Sequence, residues 1–403
     1  MADDRSENMP LSGITVLDLG QVYQGPYATM LMARAGADVI KVEPVDGEPV
    51  RRRSAVSKGA MLPLAMLNSN KRGITLNLKS PEGRDLLLRL AEHADVLLEN
   101  FAPGVMDGLG VGWEVLHAVN PRLIYASGSG FGLSGPDRDA LAMDLTIQAV
   151  SGAMSVTGFP GGPPLKSGPT FADFLSGTHL YGAVLTALFE RTRTGKGRLV
   201  EVAMVETIYP ALASNLSLLH GTSGTVTTRT GNRHGGLAIA PYNVYPAADG
   251  HVAILCIKEA HWTNLLRAMG REDLADDPRF ATNALRVRNL DATDAVVEAW
   301  TSARSRADIF AAVKQYRIPC APVRDLEEVM NDPHMHERGM LEWVDHPELG
   351  RVVLPNSPLR IHGAVRPATV PSPTLGQHND EIFGGLLGLT PEEIDGLRAK
   401  GAI

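Results

Sequence analysis

Asp173 stands in the segment Phe171-Ala-Asp-Phe-Leu-Ser-Gly177, at the head of an uninterrupted apolar helical pattern. Leu180, Val184, Leu185, Leu188 and Phe189 recur at three- and four-residue spacing, and Glu190, Arg191 and Arg193 close the run, which predicts a helix over 180–193. A carboxylate at such a point faces unpaired backbone N–H groups and the positive end of the helix dipole, so it stays ionised. Two roles fit it. It can cap the helix, the commoner role of an aspartate there, or it can act as a covalent nucleophile. These residues alone leave both open.

Other catalytic signatures are sparse. The 12 histidines form no His-x-x-x-His pair with a glutamate, and no Cys/His spacing suggests zinc. Cys256 and Cys320 read as reduced structural thiols. The first strand-to-helix turn, Gly20-Gln-Val-Tyr-Gln-Gly25-Pro26, lacks the Gly-x-Gly-x-x-Gly fingerprint, so a dehydrogenase is not expected. Ser127-Gly-Ser-Gly-Phe131 and the Gly/Pro segment 158–164 read as turns. A net charge of −7 argues against nucleic acid or an anionic membrane as the main partner. No apolar run is long enough to cross a bilayer, and the polar, acidic start of the chain is unlike a signal peptide, so a cytoplasmic protein is expected.

The elements that must position Asp173 are legible from their periods. Residues 14–19, 38–42, 73–78, 95–98 and 123–127 read as strands that alternate with helices, one of them opening at Pro26 and another at Ser80-Pro81-Glu82. This alternation predicts an α/β fold, a Rossmann-like parallel sheet with helices on both faces. At 403 residues and 44% hydrophobic content, two domains are expected. The expected division is a large Rossmann-like domain over 1–205, a linker over 206–225, a smaller α+β domain over 226–325, and a further linker and remainder over 326–403. Within the smaller domain, residues 242–245 and 251–257 read as a hairpin around Ala248-Asp249-Gly250. Thr390-Pro-Glu-Glu393 has the form of a capping box.

Seven segments in fixed order carry a resemblance. They are Leu11-Ser-Gly-Ile-Thr-Val-Leu-Asp18, Gly36-Ala-Asp-Val-Ile-Lys-Val-Glu43, Asn70-Lys-Arg-Gly-Ile-Thr-Leu-Asn-Leu-Lys79, Glu99-Asn-Phe-Ala-Pro-Gly104, the stretch 152–158, the Asp173 segment and Arg193-Thr-Gly-Lys-Gly197. Nearly end to end, the chain resembles the class III CoA-transferases, the group of formyl-CoA:oxalate and carnitine CoA-transferases. The resemblance implies that Asp173 is the nucleophile, passing through an aspartyl anhydride and an aspartyl-CoA thioester, with acyl-CoA and a carboxylic acid as substrates and no permanent cofactor or metal. It implies Val22, Tyr23 and Gln24 beside the pantetheine and thioester, Leu76, Leu78 and Lys79 at the adenosine, Asn100, Phe101 and Ala102 along the channel, and Asp144 among the CoA contacts. It also implies that the large domain over 1–205 binds CoA, that 326–403 returns to that domain, and that the protein is an interlocked homodimer with a lid at Asn232 to Leu237, with His234, Gly235 and Gly236 over the intermediates. Lys41 and Arg51-Arg52-Arg53 are further phosphate candidates.

Departures from the formyl-CoA transferase pattern stand at Pro44, Gly108, Leu141 and Met143, so oxalate and formate are not the expected acids. Succinate-like, malonate-like, itaconate-like and larger aromatic acids all remain compatible. Two other readings compete. An α-methylacyl-CoA racemase of the same superfamily needs a proton-relaying His where Ala142-Met143-Asp144 stands, and methionine cannot relay a proton. A non-catalytic acyl-CoA-binding protein would have no use for Asp173.

Overall fold

The computed structural model describes residues 9–51, 61–225 and 228–403; Arg52 and Arg53 lie outside them. Two compact units result, one of Met1–Ile147, Pro169–Ile208 and Met330–Ile403, the other of Gln148–Gly168 and Tyr209–Val329.

The first unit is built on six parallel strands: β1 (Thr15–Asp18), β2 (Asp38–Glu43), β3 (Arg72–Thr75), β4 (Val96–Glu99), β5 (Ile124–Ser129) and β6 (Leu199–Ala203). Their order is β3-β2-β1-β4-β5-β6. The strands are short, and their interiors are apolar on both faces, as a parallel sheet covered by helices requires. Side-chain alternation sorts them. Leu17, Ile40, Ile74, Leu97 and Tyr125 point to one face, against Leu86, Leu87 and Leu90 of helix Pro81–Glu92 and against Phe383 and Ile394 from the C-terminal segment. Val16, Val39, Val96, Leu98, Ile124 and Ala126 point to the other, against Ala28 and Met32 of helix Gln24–Arg34 and Leu180, Val184 and Leu188 of helix Phe171–Thr194. Chain order reverses between β1 and β4, and ligands of open α/β sheets bind beyond the strand ends at such a point.

Two helix starts differ from expectation, and the strand expected over 73–78 ends at Thr75. The helix expected from Pro26 begins at Gln24, because a proline in the first turn removes only an N–H that would be unpaired there anyway. The helix expected over 180–193 is one 24-residue element, Phe171–Thr194, ended by Gly195 at φ +68°. Asp173 is therefore its third residue, not its cap. An antiparallel hairpin, Leu341–His346 with Gly350–Pro355, also lies in this unit, and the capping box expected at Thr390 and Glu393 is present.

The second unit holds an antiparallel sheet of Tyr242–Ala247, Gly250–Leu255 and Cys320–Pro322. Its core gathers Tyr245, Trp262, Leu265, Phe280, Trp300 and Ile309. Burial pushes the Cys256 and Cys320 thiols up to about 12 and about 11, which leaves both unreactive as thiolates. Among the described residues no helix is long and apolar enough to cross a membrane, and no cluster of His, Cys, Asp or Glu could hold a metal ion.

Candidate active site

The turn after β1 is held from several sides. Gly20 and Gly25 meet backbone to backbone: a Cβ on Gly20 would lie 2.9 Å from the Cα of Gly25, so both positions require glycine. Asp18 Oδ1 accepts the Gly20 N–H at 2.9 Å, and Lys41 Nζ donates to the Gly20 carbonyl. Asn100, just past β4, grips Gln21 twice, accepting its N–H at 2.6 Å and donating Nδ2 to its carbonyl at 3.0 Å. Glu48 Oε2 accepts the Val22 N–H at 2.9 Å. Val22 sits at φ +64°, a conformation that strongly disfavours a β-branched residue. Such strain persists only where the surroundings impose it, and here they do.

Beneath this turn lies a buried charged network. Lys71 Nζ is 2.8 Å from Asp18 Oδ2, which also accepts the Thr29 hydroxyl at 2.7 Å. Lys41 pairs with Glu48 at 3.5 Å, and Arg51 with Glu43 at 2.8 Å. Lys41 and Arg51 thus spend their charges inside the protein rather than at a phosphate. Lys41 interrupts an otherwise apolar central strand, and that is the sequence signal for its pairing; Glu48 and Asn100 give no local signal of their clamping role.

Asp173 is 8% exposed. Thr170, at the cap position of its helix, supplies no side-chain bond; Asp144 does so instead, its Oδ1 accepting the Ala172 N–H at 3.0 Å. The capping role, worth about 1 kcal/mol, thus falls to another carboxylate. The Asp173 carboxylate, on the third residue of the helix, lies at the positive end of the dipole.

A cavity of about 600 Å³ opens at the carboxyl ends of β1, β4 and β5 and brings together Asp173, Val22, Gln24, Asn100, Phe101 and Ala102. Asp173 is the one ionisable side chain among the described residues that line it. Leu141 and Met143, 85% and 55% exposed, form an apolar flank. A second cavity of about 290 Å³ lies beyond β2 and β3 and holds Leu76, Leu78 and Lys79, with Pro44 also in its wall. Gln21 and Phe101 line both cavities, and Phe101 also packs on the core.

The remaining expected residues lie elsewhere. Tyr23 lines neither cavity; it stacks on Phe174, with centroids 6.0 Å apart, in a cluster with Met30 and Leu31. Asp144 also lines neither. His234, Gly235 and Gly236 belong to the second unit, where His234 Nδ1 accepts the Gly236 N–H at 3.1 Å. The left-handed residue of that turn is Leu237, at φ +46°, not either glycine. Space is tight at Gly235: a Cβ there would lie 2.9 Å from Asn215 Nδ2, so that amide would have to shift.

Glu99 ends β4 below the site. Burial pushes its carboxyl up to about 7, against the Ser127 hydrogen bond and the Phe101 N–H at 2.8 Å. A folded value above the unfolded 4.5 means that the native state binds more protons between pH 4.5 and 7, so stability falls as pH rises through that window. The gap corresponds to about 3 kcal/mol. Glu99→Gln removes the titration, and its stability relative to wild type is expected to rise by about that much between pH 4.5 and 8. Urea unfolding at both pH values checks this; an unchanged difference would mean that Glu99 keeps an ordinary carboxylate pKa in the fold.

A doubly covered parallel sheet with a lone carboxylate in a cavity at its switch point defines an α/β enzyme of the ligand-at-the-strand-ends kind. Residues 11–379 match the family model for CoA-transferase family III, and the chain belongs to that family. It is 37% identical over 397 residues to the succinyl-CoA–D-citramalate CoA-transferase of Chloroflexus aurantiacus, covering 98% of each chain. It is 36% identical over 407 residues to the formyl-CoA:oxalate CoA-transferase of Streptomyces coelicolor, covering 98% of this chain and 99% of that one. A solved CAIB/BAIF family protein from Brucella suis matches with a TM-score of 0.82 at 34% identity, over 94% of this chain and 100% of that one.

Proposed function

We propose that the protein moves CoA from an acyl-CoA thioester to a free carboxylic acid through covalent intermediates on Asp173. The observation that carries this reading is that Asp173, at a helix N-terminus, is the one ionisable side chain among the described residues lining the larger cavity. Asp173 adds to the thioester carbonyl and expels CoA thiolate, leaving a mixed anhydride. The thiolate adds to the aspartyl carbonyl, which releases the donor acid and leaves aspartyl-CoA. The acceptor carboxylate attacks that thioester, forming a second anhydride and freeing thiolate again. Attack on the acceptor acyl group then gives the new thioester and restores Asp173. No net proton transfer is needed, so the cavity needs no general base.

CoA enters this reading along both cavities. The acyl end and pantetheine run past Val22, Gln24, Asn100, Phe101 and Ala102, and the adenosine lies against Leu76, Leu78 and Lys79. A Cα proton swap is disfavoured, because Met143 lines the cavity where a racemase would place its histidine. The test is a screen of acids with succinyl-CoA and acetyl-CoA as donors, read by mass spectrometry alongside deuterium uptake at the acyl Cα. Deuterium uptake without CoA exchange would overturn the assignment.

The working form is an interlocked cytoplasmic homodimer, with an interface above about 2,000 Å² as obligate dimers have. A stable, active monomer in sedimentation at micromolar concentration contradicts the dimer, and recovery in a membrane fraction contradicts the location. The segment 232–237 is the lid that keeps water from the anhydride. Gly235→Val forces a side chain against Asn215, so hydrolysis of the acyl-CoA is expected to rise several-fold relative to transfer. Equal partitioning in variant and wild type would remove the segment from the mechanism.

A further inference from the structure

We propose that Gln24 is a catalytic residue, its side-chain amide donating a hydrogen bond to the acyl oxygen of the thioester that Asp173 attacks. The inference rests on Asp173 as nucleophile and adds a donor to it. Gln24 is 3% exposed and lines the larger cavity together with Asp173, yet its Nε2 is buried without any hydrogen-bond partner. Native proteins pair nearly all such groups, so an unmatched amide at a cavity wall calls for a ligand atom.

Its placement is fixed by two glycines. A Cβ on Gly128, at the end of β5, would lie 2.7 Å from Gln24 Oε1 and 3.0 Å from Nε2, so the amide rests on bare backbone. A Cβ on Gly177, one turn beyond Asp173, would lie 2.6 Å from the Gln24 carbonyl, so this residue is pressed against the Asp173 helix. Upstream, the strained Val22 and its bond to Glu48 set where the helix of Gln24 begins. The donor is held before substrate arrives, as a group that stabilises developing charge must be.

The step balances without a proton. An Asp173 carboxylate oxygen forms a bond to the thioester carbon while the carbonyl π pair moves onto oxygen. The Gln24 N–H meets that oxyanion. Collapse restores the carbonyl and breaks the C–S bond, and its electron pair leaves with CoA thiolate.

The test uses the full-length protein with succinyl-CoA or acetyl-CoA, whichever the wild type turns over faster. Quenched reactions are read by intact mass for the rate of CoA attachment, with KM for the donor and the melting temperature measured in parallel. Gln24→Met keeps the length and removes the donor; Gln24→Ala and Gln24→Asn carry the test should that variant fold poorly. The expected result is a fall of about 100- to 1,000-fold in the attachment rate and in kcat, the usual effect of removing one such donor, with KM within about threefold of wild type. Attachment within threefold of wild type, or a loss confined to KM, would overturn the role of Gln24 and leave Asp173 untouched. No attachment in the wild type itself would overturn the nucleophile, and this inference with it.

Discussion

Replacing Asp173 with alanine or asparagine is expected to abolish CoA transfer while the fold and CoA binding persist. Without the carboxylate neither the anhydride nor the aspartyl thioester can form. The cavity offers no second ionisable side chain among the described residues to take its place. Loss of a covalent nucleophile commonly costs more than about 10⁴-fold in kcat, and that is the size expected here. The structural cost is expected to be small, because Asp144 bonds the Ala172 N–H in the first turn of the helix and stays in place. What is lost is the favourable position of a charge at the helix dipole, about 0.3–1 kcal/mol. The check is transfer activity beside the melting temperature of each variant. Activity within tenfold of wild type, with the fold intact, would sink the assignment.

The second large effect falls on stability. Asp18→Ala is expected to destabilise the protein by about 3–5 kcal/mol, because it takes the counter-charge from the buried Lys71 ammonium and the side-chain acceptor from the Gly20 N–H at once. Burial alone would raise the Asp18 carboxyl, but Lys71 and Lys41 outweigh it and hold it below the ordinary carboxylate value. Its contribution is therefore present above an unfolded value near 3.8 and is lost as pH falls through the lower folded one. In Asp18→Ala with Lys71→Met the stranded charge is gone as well, so the double variant should be more stable than the single. Chemical unfolding of the four proteins closes the cycle. A single variant within about 1 kcal/mol of wild type would show that the network does not anchor the turn leading to Gln24.

The sheet was readable because both of its faces are buried by a period-two pattern: Val16 and Leu17 pack on opposite layers, as do Val39 and Ile40. The turns after β1 and β4 were readable for the same reason, since the strands end where the apolar runs end. The way the site is held together was not. Asn100 reaches Gln21 across 79 residues and Glu48 reaches Val22 across 26, and side chain-to-backbone bonds of that kind leave no local pattern. The helix start at Phe171 was hidden likewise, because its capping oxygen comes from Asp144, 28 residues upstream. Tyr23 is placed differently from its neighbours: Val22 and Gln24 line the cavity, while its ring stacks on Phe174. Val22 at φ +64° turns the backbone sharply before the helix of Gln24, so neighbouring residues of this turn point in different directions.

The central claim is that CoA passes through Asp173. The most direct measurement is peptide mapping of wild-type protein quenched during turnover with an acyl-CoA donor. The expected result is CoA joined as a thioester to the peptide containing Asp173, released by hydroxylamine and absent from Asp173→Ala. A CoA adduct on any other residue, or steady transfer with no adduct on that peptide, would contradict the account.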